Sequence, residues 1–277
     1  MTGGAERRRD SLARVALDEV RKSVPHVRRV ATEEVVISVS YTAVRTSTDD
    51  VGLANTPLDE MAPESCNIYA RAGSLTESPT IELAELAESW DLSERVVGIA
   101  ALNALSQIAI KKASGGFVTK YGDVVDVTKV RKDDTVVIVG NMRPSAEKLR
   151  KRAKEVLVLE RSMGLRDKYT FPDTAAESVI PRADVVFMTG ATLCNGTADR
   201  LLELSRNARE VVMLGATAGI YPPALFRKGA TAVGCMEVFD AKQTMRTAAQ
   251  GGGTTNLLKG ARFVVYEKVK QAGWASE

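Results

Sequence analysis

Three times in this chain a short, unbroken apolar run stops at a glycine and hands over to a different pattern. The runs are Thr135–Gly140 (Thr-Val-Val-Ile-Val-Gly), Ala183–Gly190 (Ala-Asp-Val-Val-Phe-Met-Thr-Gly) and Glu210–Gly215 (Glu-Val-Val-Met-Leu-Gly). A strand with one wet face alternates polar and apolar residues. A continuous Val, Ile, Leu and Met run is instead covered on both faces, which calls for helices above and below a parallel sheet. After Thr189-Gly190 the second run continues through Ala191-Thr192-Leu193-Cys194-Asn195-Gly196-Thr197 into the amphipathic stretch Ala198–Leu204. That is a buried strand feeding a ligand-facing turn and then a helix, the unit of a doubly wound α/β sheet.

Extending the reading gives a strand at 135–139, a helix at 145–153, a strand at 155–159, a short helix at 173–179, a strand at 184–188, a helix at 197–206 and a strand at 210–214. A short helix at 222–226, a strand at 231–235, a helix at 240–249 and a last strand at 262–266 follow. This alternation predicts parallel strands with right-handed crossovers. The first part of the chain reads differently. A helix over 5–24 is closed by Pro25, a β-rich stretch covers 30–44, and 51–54 returns as a hairpin partner. Ser78-Pro79-Thr80 starts a helix ending near Trp90, and Asp91 or Ser93 caps a second one, from Val96 to Ile108, that is apolar nearly all round and therefore buried. Strands followed by a helical pair make an α+β unit. With Gly115, Gly116 and Gly122 marking a linker over 113–128, the 277 residues divide into an α+β domain at 1–120 and a Rossmann-like α/β domain at 121–277.

Composition excludes several classes of function. The net charge of +3 arises from 38 basic and 35 acidic residues, without the clustered excess of a nucleic-acid binder. Arg7–Arg9 lies at a terminus, and the basic run Lys148–Lys154 reads as the solvated face of a helix. Cys66, Cys194 and Cys235 form no CxxC pair and no disulfide framework, which suits a reducing cytoplasm. Basic residues at the N-terminus precede no apolar core, so no signal peptide is expected there. The longest apolar stretch, Val96–Ile110, is broken by Asn103, Ser106 and Gln107 and is too short to span a bilayer.

In an open α/β sheet ligands sit beyond the carboxyl ends of the strands, so the loops at 140–144, 160–164, 189–197, 215–223 and 236–240 should share one rim. Glu160 ends the second strand, twenty residues after Gly140, where dinucleotide-binding proteins keep the acid that holds a ribose. The first turn, Gly140-Asn141-Met142-Arg143-Pro144, lacks GxGxxG, which argues against ordinary NAD binding. Thr189, Gly190, Thr192, Asn195 and Thr197 place hydroxyls and an amide at a helix start, suited to an anion or simply to capping. Gly215 and Thr217 belong to a similar loop, and Gly251-Gly252-Gly253 suits a backbone closing over a ligand or a helix exit. Metal chemistry has a narrow basis. The single histidine, His26, follows Pro25 in a surface turn, and Cys194 and Cys235 fall at the rim as soft thiolates or as small buried apolar residues, with Glu160 or Glu237 adding a carboxylate.

Taken in order, Tyr41-Thr42-Ala43-Val44, Glu82-Leu83-Ala84-Glu85-Leu86, Gly98-Ile99-Ala100-Ala101-Leu102-Asn103-Ala104, Thr189–Thr197, Leu214-Gly215-Ala216-Thr217, Leu225-Phe226 and Gly251–Thr254 resemble a prokaryotic family of unknown function described as "putative heavy-metal chelation". The resemblance covers nearly the whole chain. It implies an N-terminal domain similar to the capping domain of enolases, a Rossmann-like domain after it, and a cleft between the two. Where the family loop has an aliphatic residue this chain has Cys194, and where its first rim loop has Phe-Pro this chain has Met142-Arg143-Pro144.

The combined expectation is a ligand-binding cleft that takes a heavy metal or a small anionic, metal-chelating molecule. Asn103, a polar residue in a buried helix that needs a partner, would face Asn141, Glu160, Thr189, Gly190, Thr192, Asn195, Thr197, Gly215 and Thr217, with Arg143 supplying positive charge and Glu160 the contact to a divalent or heavy-metal ion. Capping of a neighbouring loop is the other reading of Asn103. The alternative function class is an enzyme using a nucleotide-like cofactor at the same rim. Partners are then a small molecule or metal ion and further copies of the chain, with no nucleic acid and no membrane.

Overall fold

Glycine decides how the first half packs. Residues Thr32–Ile37 (β1), Tyr41–Thr46 (β2) and Val51–Asn55 (β3) form an antiparallel sheet in the order β1-β2-β3, and Gly52 lies against the helix Leu92–Lys112 so closely that a Cβ would sit 2.0 Å from the carbonyl oxygen of Ala100. The computed structural model describes residues 10–61, 69 and 71–269. Within them the stretch read as one strand or a bent strand over 30–44 divides at Ser38–Ser40 into β1 and β2, and β3 returns along β2 as expected.

The helix Leu92–Lys112 is capped by the Asp91 side chain, which accepts from the Glu94 N–H. Fourteen of its residues are buried on all sides of the helix, including Asn103, Ser106 and Gln107. It lies between the small sheet and the helix Ala191–Cys194 that follows a central strand of the large sheet. A shorter helix, Leu12–Ser23, covers it from outside and also packs on the helix Pro222–Arg227. One apolar core therefore runs from Leu17 and Leu102 through to Val186 and Met213. Among the described residues no helix is long and apolar enough to cross a membrane.

The large sheet has eight strands: Phe117–Tyr121 (β4), Thr135–Val139 (β5), Glu155–Glu160 (β6), Thr170–Pro172 (β7), Val185–Thr189 (β8), Glu210–Leu214 (β9), Ala232–Val238 (β10) and Ala261–Lys268 (β11). Their order is β4-β11-β10-β9-β8-β5-β6-β7. Strands β5 to β10 run parallel, and the series β7-β6-β5-β8-β9-β10 is that of doubly wound sheets. Two features depart from the sequence reading. The last strand, β11, is antiparallel to β10, and β4, within the stretch read as a linker, adds antiparallel to β11. Both strands turn side chains to water, and β4 is exposed at four of its five positions, so neither carries the apolar run that betrays a central strand.

Candidate functional site

Where the chain leaves β5 toward β6 on one side and passes to β8 on the other, the loops diverge and open a crevice at the strands' carboxyl ends. The small sheet roofs it. Together they enclose a cavity of about 640 Å³, a size at which small molecules are held. Gly140, Gly190 and Gly215, the glycines ending the three apolar runs, all line it. At Gly190 a Cβ would fall 2.5 Å from the Ala218 nitrogen, so only glycine lets the two rim loops touch. Gly215 has φ of 110°, a conformation that glycine adopts without strain, and open space beside it.

Glu160, at the end of β6, is only 7% exposed and is fixed by the backbone. One carboxylate oxygen accepts the Asn141 N–H at 2.7 Å and the other accepts the Ser162 N–H at 2.7 Å. Asn141 then donates its side-chain amide to the Leu165 carbonyl at 2.6 Å, and Arg166 donates to the Glu160 carbonyl at 2.7 Å. Three N–H groups of the first turn are used, that of Gly140 by the Leu159 carbonyl, that of Asn141 by the Glu160 carboxylate and that of Met142 by the Gly140 carbonyl. None of these three N–H groups is free to cradle a pyrophosphate, which gives the missing GxGxxG its physical meaning.

The loop after β8 spends two of its three threonine hydroxyl protons on itself. Thr192 donates to the Thr189 carbonyl at 2.7 Å, Thr197 donates to Asn195 Oδ1 at 2.7 Å, and the Thr189 hydroxyl oxygen accepts the Ala191 N–H. Thr189, Thr192, Asn195 and Thr197 do line the cavity; Thr192 and Thr197 turn hydroxyl lone pairs to it, while Thr189 keeps its hydroxyl proton and Asn195 its side-chain amide protons. The loop thus offers acceptors and donors together. Arg143, expected to supply charge, does not line the cavity; its side chain is 66% exposed and reaches toward Asp167 at 3.8 Å.

Asn103 is not at the cavity wall either. Its amide donates to the Leu53 carbonyl of β3 at 2.7 Å and to the Thr217 carbonyl of the rim loop at 2.8 Å, so it ties the small sheet to the large one. Thr217 lines the cavity and accepts the Asn55 N–H at 2.9 Å. The sequence reading passed over the small sheet's own contribution, Tyr41, Asn55, Asp59 and Glu60. Tyr41 bonds Thr254 across the cleft at 2.7 Å, and burial raises its pKa, so the phenol stays protonated. The available signals were Tyr41 in the Tyr-Thr-Ala-Val run and the glycines preceding Thr254.

Among the described residues the lining carboxylates are Asp59, Glu60, Asp123, Glu160 and Asp173, against one cationic side chain, Arg161. Arg161 is committed to Glu60 at 3.1 Å and Asp173 at 3.8 Å, and Asp123 pairs with Lys148 at 2.8 Å on the helix face that sequence read as solvated. As for metals, no group of three or more His, Cys, Asp and Glu side chains is gathered to hold an ion among the described residues. Burial pushes the thiols of Cys194 and Cys235 up to about 12, so neither offers a thiolate at neutral pH. Cys235 lines the cavity and Cys194 does not, while Glu237 is engaged by Arg262 on the outer face. His26 sits exposed in a tight turn as expected, and Cys66 and Arg7–Arg9 lie outside the described residues. The described donors do not fit a bare heavy-metal ion held by protein ligands alone.

Fold and cavity together define an α/β protein with a cavity at the switch point of its large sheet. Two family models, both described as "putative heavy-metal chelation", match this sequence, DUF364 over residues 123–267 and DUF4213 over residues 21–106. An uncharacterized protein of Methanocaldococcus jannaschii is 30% identical over 182 residues, 65% of this chain and 68% of that one. A solved structure of a DUF364-family protein of unknown function from Pyrococcus horikoshii is similar with a TM-score of 0.77 at 25% identity, covering 92% of this chain and 99% of that one. Another from Desulfitobacterium hafniense gives 0.76 at 23% identity over 91% and 97%, a likeness of fold. The chain belongs to the DUF364 family.

Proposed function

We propose that the protein binds a small organic molecule in the cleft between its two sheets, and that a metal ion enters this cleft within the coordination shell of such a molecule. Glu160 carries the reading. A nearly buried carboxylate, fixed by two backbone N–H groups at the end of a parallel strand and facing a cavity of about 640 Å³, is a preorganised acceptor for ligand protons. A chelator supplies its own donor atoms, which reconciles the family description with a site where the described protein ligands are too few for a bare ion. The small sheet with its buried helix suits the capping domain that the enolase resemblance implies, and the cleft lies between the domains proposed at 1–120 and 121–277. Cys194 and Cys235 as free, buried thiols suit a reducing cytoplasm.

Thermal unfolding with organic probes, with and without nickel or zinc, tests this. The expected result is stabilisation by an organic probe or its metal complex, about 2.7 kcal/mol at a hundredfold excess over Kd, and its loss in Glu160→Ala. Stabilisation by free metal alone, insensitive to Glu160→Ala, refutes the reading, as does a null result with every organic probe. A second reading, an enzyme using a nucleotide-like cofactor at the same rim, is favoured by the strand order β7-β6-β5-β8-β9-β10 with Glu160 ending its second strand.

A further inference from the structure

Three observations narrow the chemistry of what the cleft holds. The first is the remaining acceptor capacity of Glu160. Each of its oxygens takes a single backbone N–H, leaving a lone pair on each for a ligand, and two acceptors held side by side match two neighbouring hydroxyls. At the end of the second strand of such a sheet this is where a ribose diol docks. The second is the hostility of the cavity to phosphate. The N–H groups of Gly140, Asn141 and Met142 are spent, and among the described residues the one lining guanidinium, Arg161, is paired with Glu60 and Asp173, while Asp59 and Glu160 have no cationic side-chain partner. A negatively lined cleft repels anions. The third is an apolar wall attached to the acceptor. Asn141 bonds Glu160 through its backbone and the Leu165 carbonyl through its side chain, so the same residue that orients the carboxylate presents Leu165, 56% exposed, to the cavity beside Met142 and Leu159. An exposed leucine at a polar rim is a surface on which a flat base can lie.

We propose that the cleft ligand is an unphosphorylated nucleoside, with its ribose diol on Glu160 and its base against Leu165. This rests on the cleft being a small-molecule site, and it commits to one class within that reading. The ligand brings donors to fixed acceptors, a base to an apolar wall, and no phosphate.

Isothermal titration of the full chain with adenosine, guanosine, cytidine and uridine, their 2′-deoxy forms and their 5′-monophosphates, together with S-adenosylmethionine, NAD and nickel nitrilotriacetate, decides it. The expected result is binding of at least one ribonucleoside, with its 5′-monophosphate and its 2′-deoxy form each weaker by tenfold or more, a loss corresponding to about 1.4 kcal/mol. In Glu160→Met, which is close in length and carries no oxygen acceptor, the wild-type penalty for the 2′-deoxy form should disappear, since the hydroxyl has lost its acceptor. Leu165→Asp, at an exposed position that leaves the fold intact, should weaken nucleosides tenfold with an unchanged urea midpoint. Tighter binding of S-adenosylmethionine than of adenosine supports the proposal and identifies a nucleoside with a positive charge as the source. Equal or tighter binding of the 5′-monophosphate or NAD overturns it, as does a 2′-deoxy penalty that persists in Glu160→Met. If nickel nitrilotriacetate binds in a Glu160-dependent way and no nucleoside does, the nucleoside is wrong and the cleft reading stands. If none of the probes binds, both fall.

Discussion

Replacing Asn103 by alanine removes a side chain that joins a strand of the small sheet to the rim of the large one through two hydrogen bonds. Its amide satisfies the Leu53 carbonyl at 2.7 Å and the Thr217 carbonyl at 2.8 Å, and the residue is 1% exposed. Truncation therefore leaves two carbonyl oxygens in a site that water does not reach, and an orphaned buried acceptor costs about 1–3 kcal/mol. An offset applies, because Asn103 Oδ1 is itself buried without a partner and is removed along with the amide. The net expectation is a loss of about 2–4 kcal/mol, and more for Asn103→Asp, which sets a buried carboxylate against two carbonyls. Urea unfolding measures it directly, with the m-value checked for constancy so that the midpoint shift reports stability. Asn103→Leu, close in volume and apolar, separates the lost bonds from lost packing. If Asn103→Leu matches the wild type within about 0.5 kcal/mol, a difference typical of inert substitutions, the two bonds contribute nothing and the account of how the sheets are joined is wrong.

Asp134, 3% exposed, pairs with Arg209 at 2.7 Å and accepts the Arg131 N–H. Burial of the carboxyl works against ionisation, but the Arg209 hydrogen bond, the Arg131 N–H and both guanidinium charges outweigh it and hold its pKa below the ordinary carboxylate value. A depressed folded pKa stabilises above the unfolded value of about 3.9 and is lost as pH falls through the folded one. Asp134→Asn should thus cost about 3 kcal/mol at pH 7, with the gap from wild type closing below about pH 4 in a pH series of urea melts; a gap independent of pH sinks the assignment. In a Cys66→Ser background, Cys194 and Cys235 should react with a disulfide reagent at pH 8 only after unfolding, because burial pushes both thiols up to about 12; rapid native-state labelling contradicts this. Gly52→Ala drives a Cβ to 2.0 Å from the Ala100 oxygen and 2.2 Å from the Ala104 nitrogen, backbone atoms that cannot swing aside. Circular dichroism and urea melts should show a loss of at least about 3 kcal/mol, at the upper end for overpacking, and a wild-type midpoint would show that the strand and helix are free to part.

What the residues disclosed follows from which constraints are local. The runs 135–140, 183–190 and 210–215 announced central strands because burial on both faces leaves its mark residue by residue, and the helix Leu92–Lys112 did so for the same reason. Strands β4 and β7 gave no such mark. Each is an edge strand, mostly open to water, whose place in the sheet is set by a distant partner, β11 for one and β6 for the other. The rim was legible in the same way, since Glu160 and the strand-end glycines follow from strand order. Their chemistry was not. Arg143 follows directly on a rim turn and still points to Asp167, and Thr192 and Thr197 carry hydroxyls whose protons are already spent on Thr189 and Asn195. A sequence shows which donors a loop possesses, and folding decides how many remain to offer. At Gly140-Asn141-Met142 the answer is none, and the same hydrogen bond that uses up the Asn141 N–H locks Glu160 as an acceptor. The bond that withdraws this N–H from a phosphate thereby prepares the carboxylate, so in the proposed nucleoside site one bond would act both against phosphate and for hydroxyl protons.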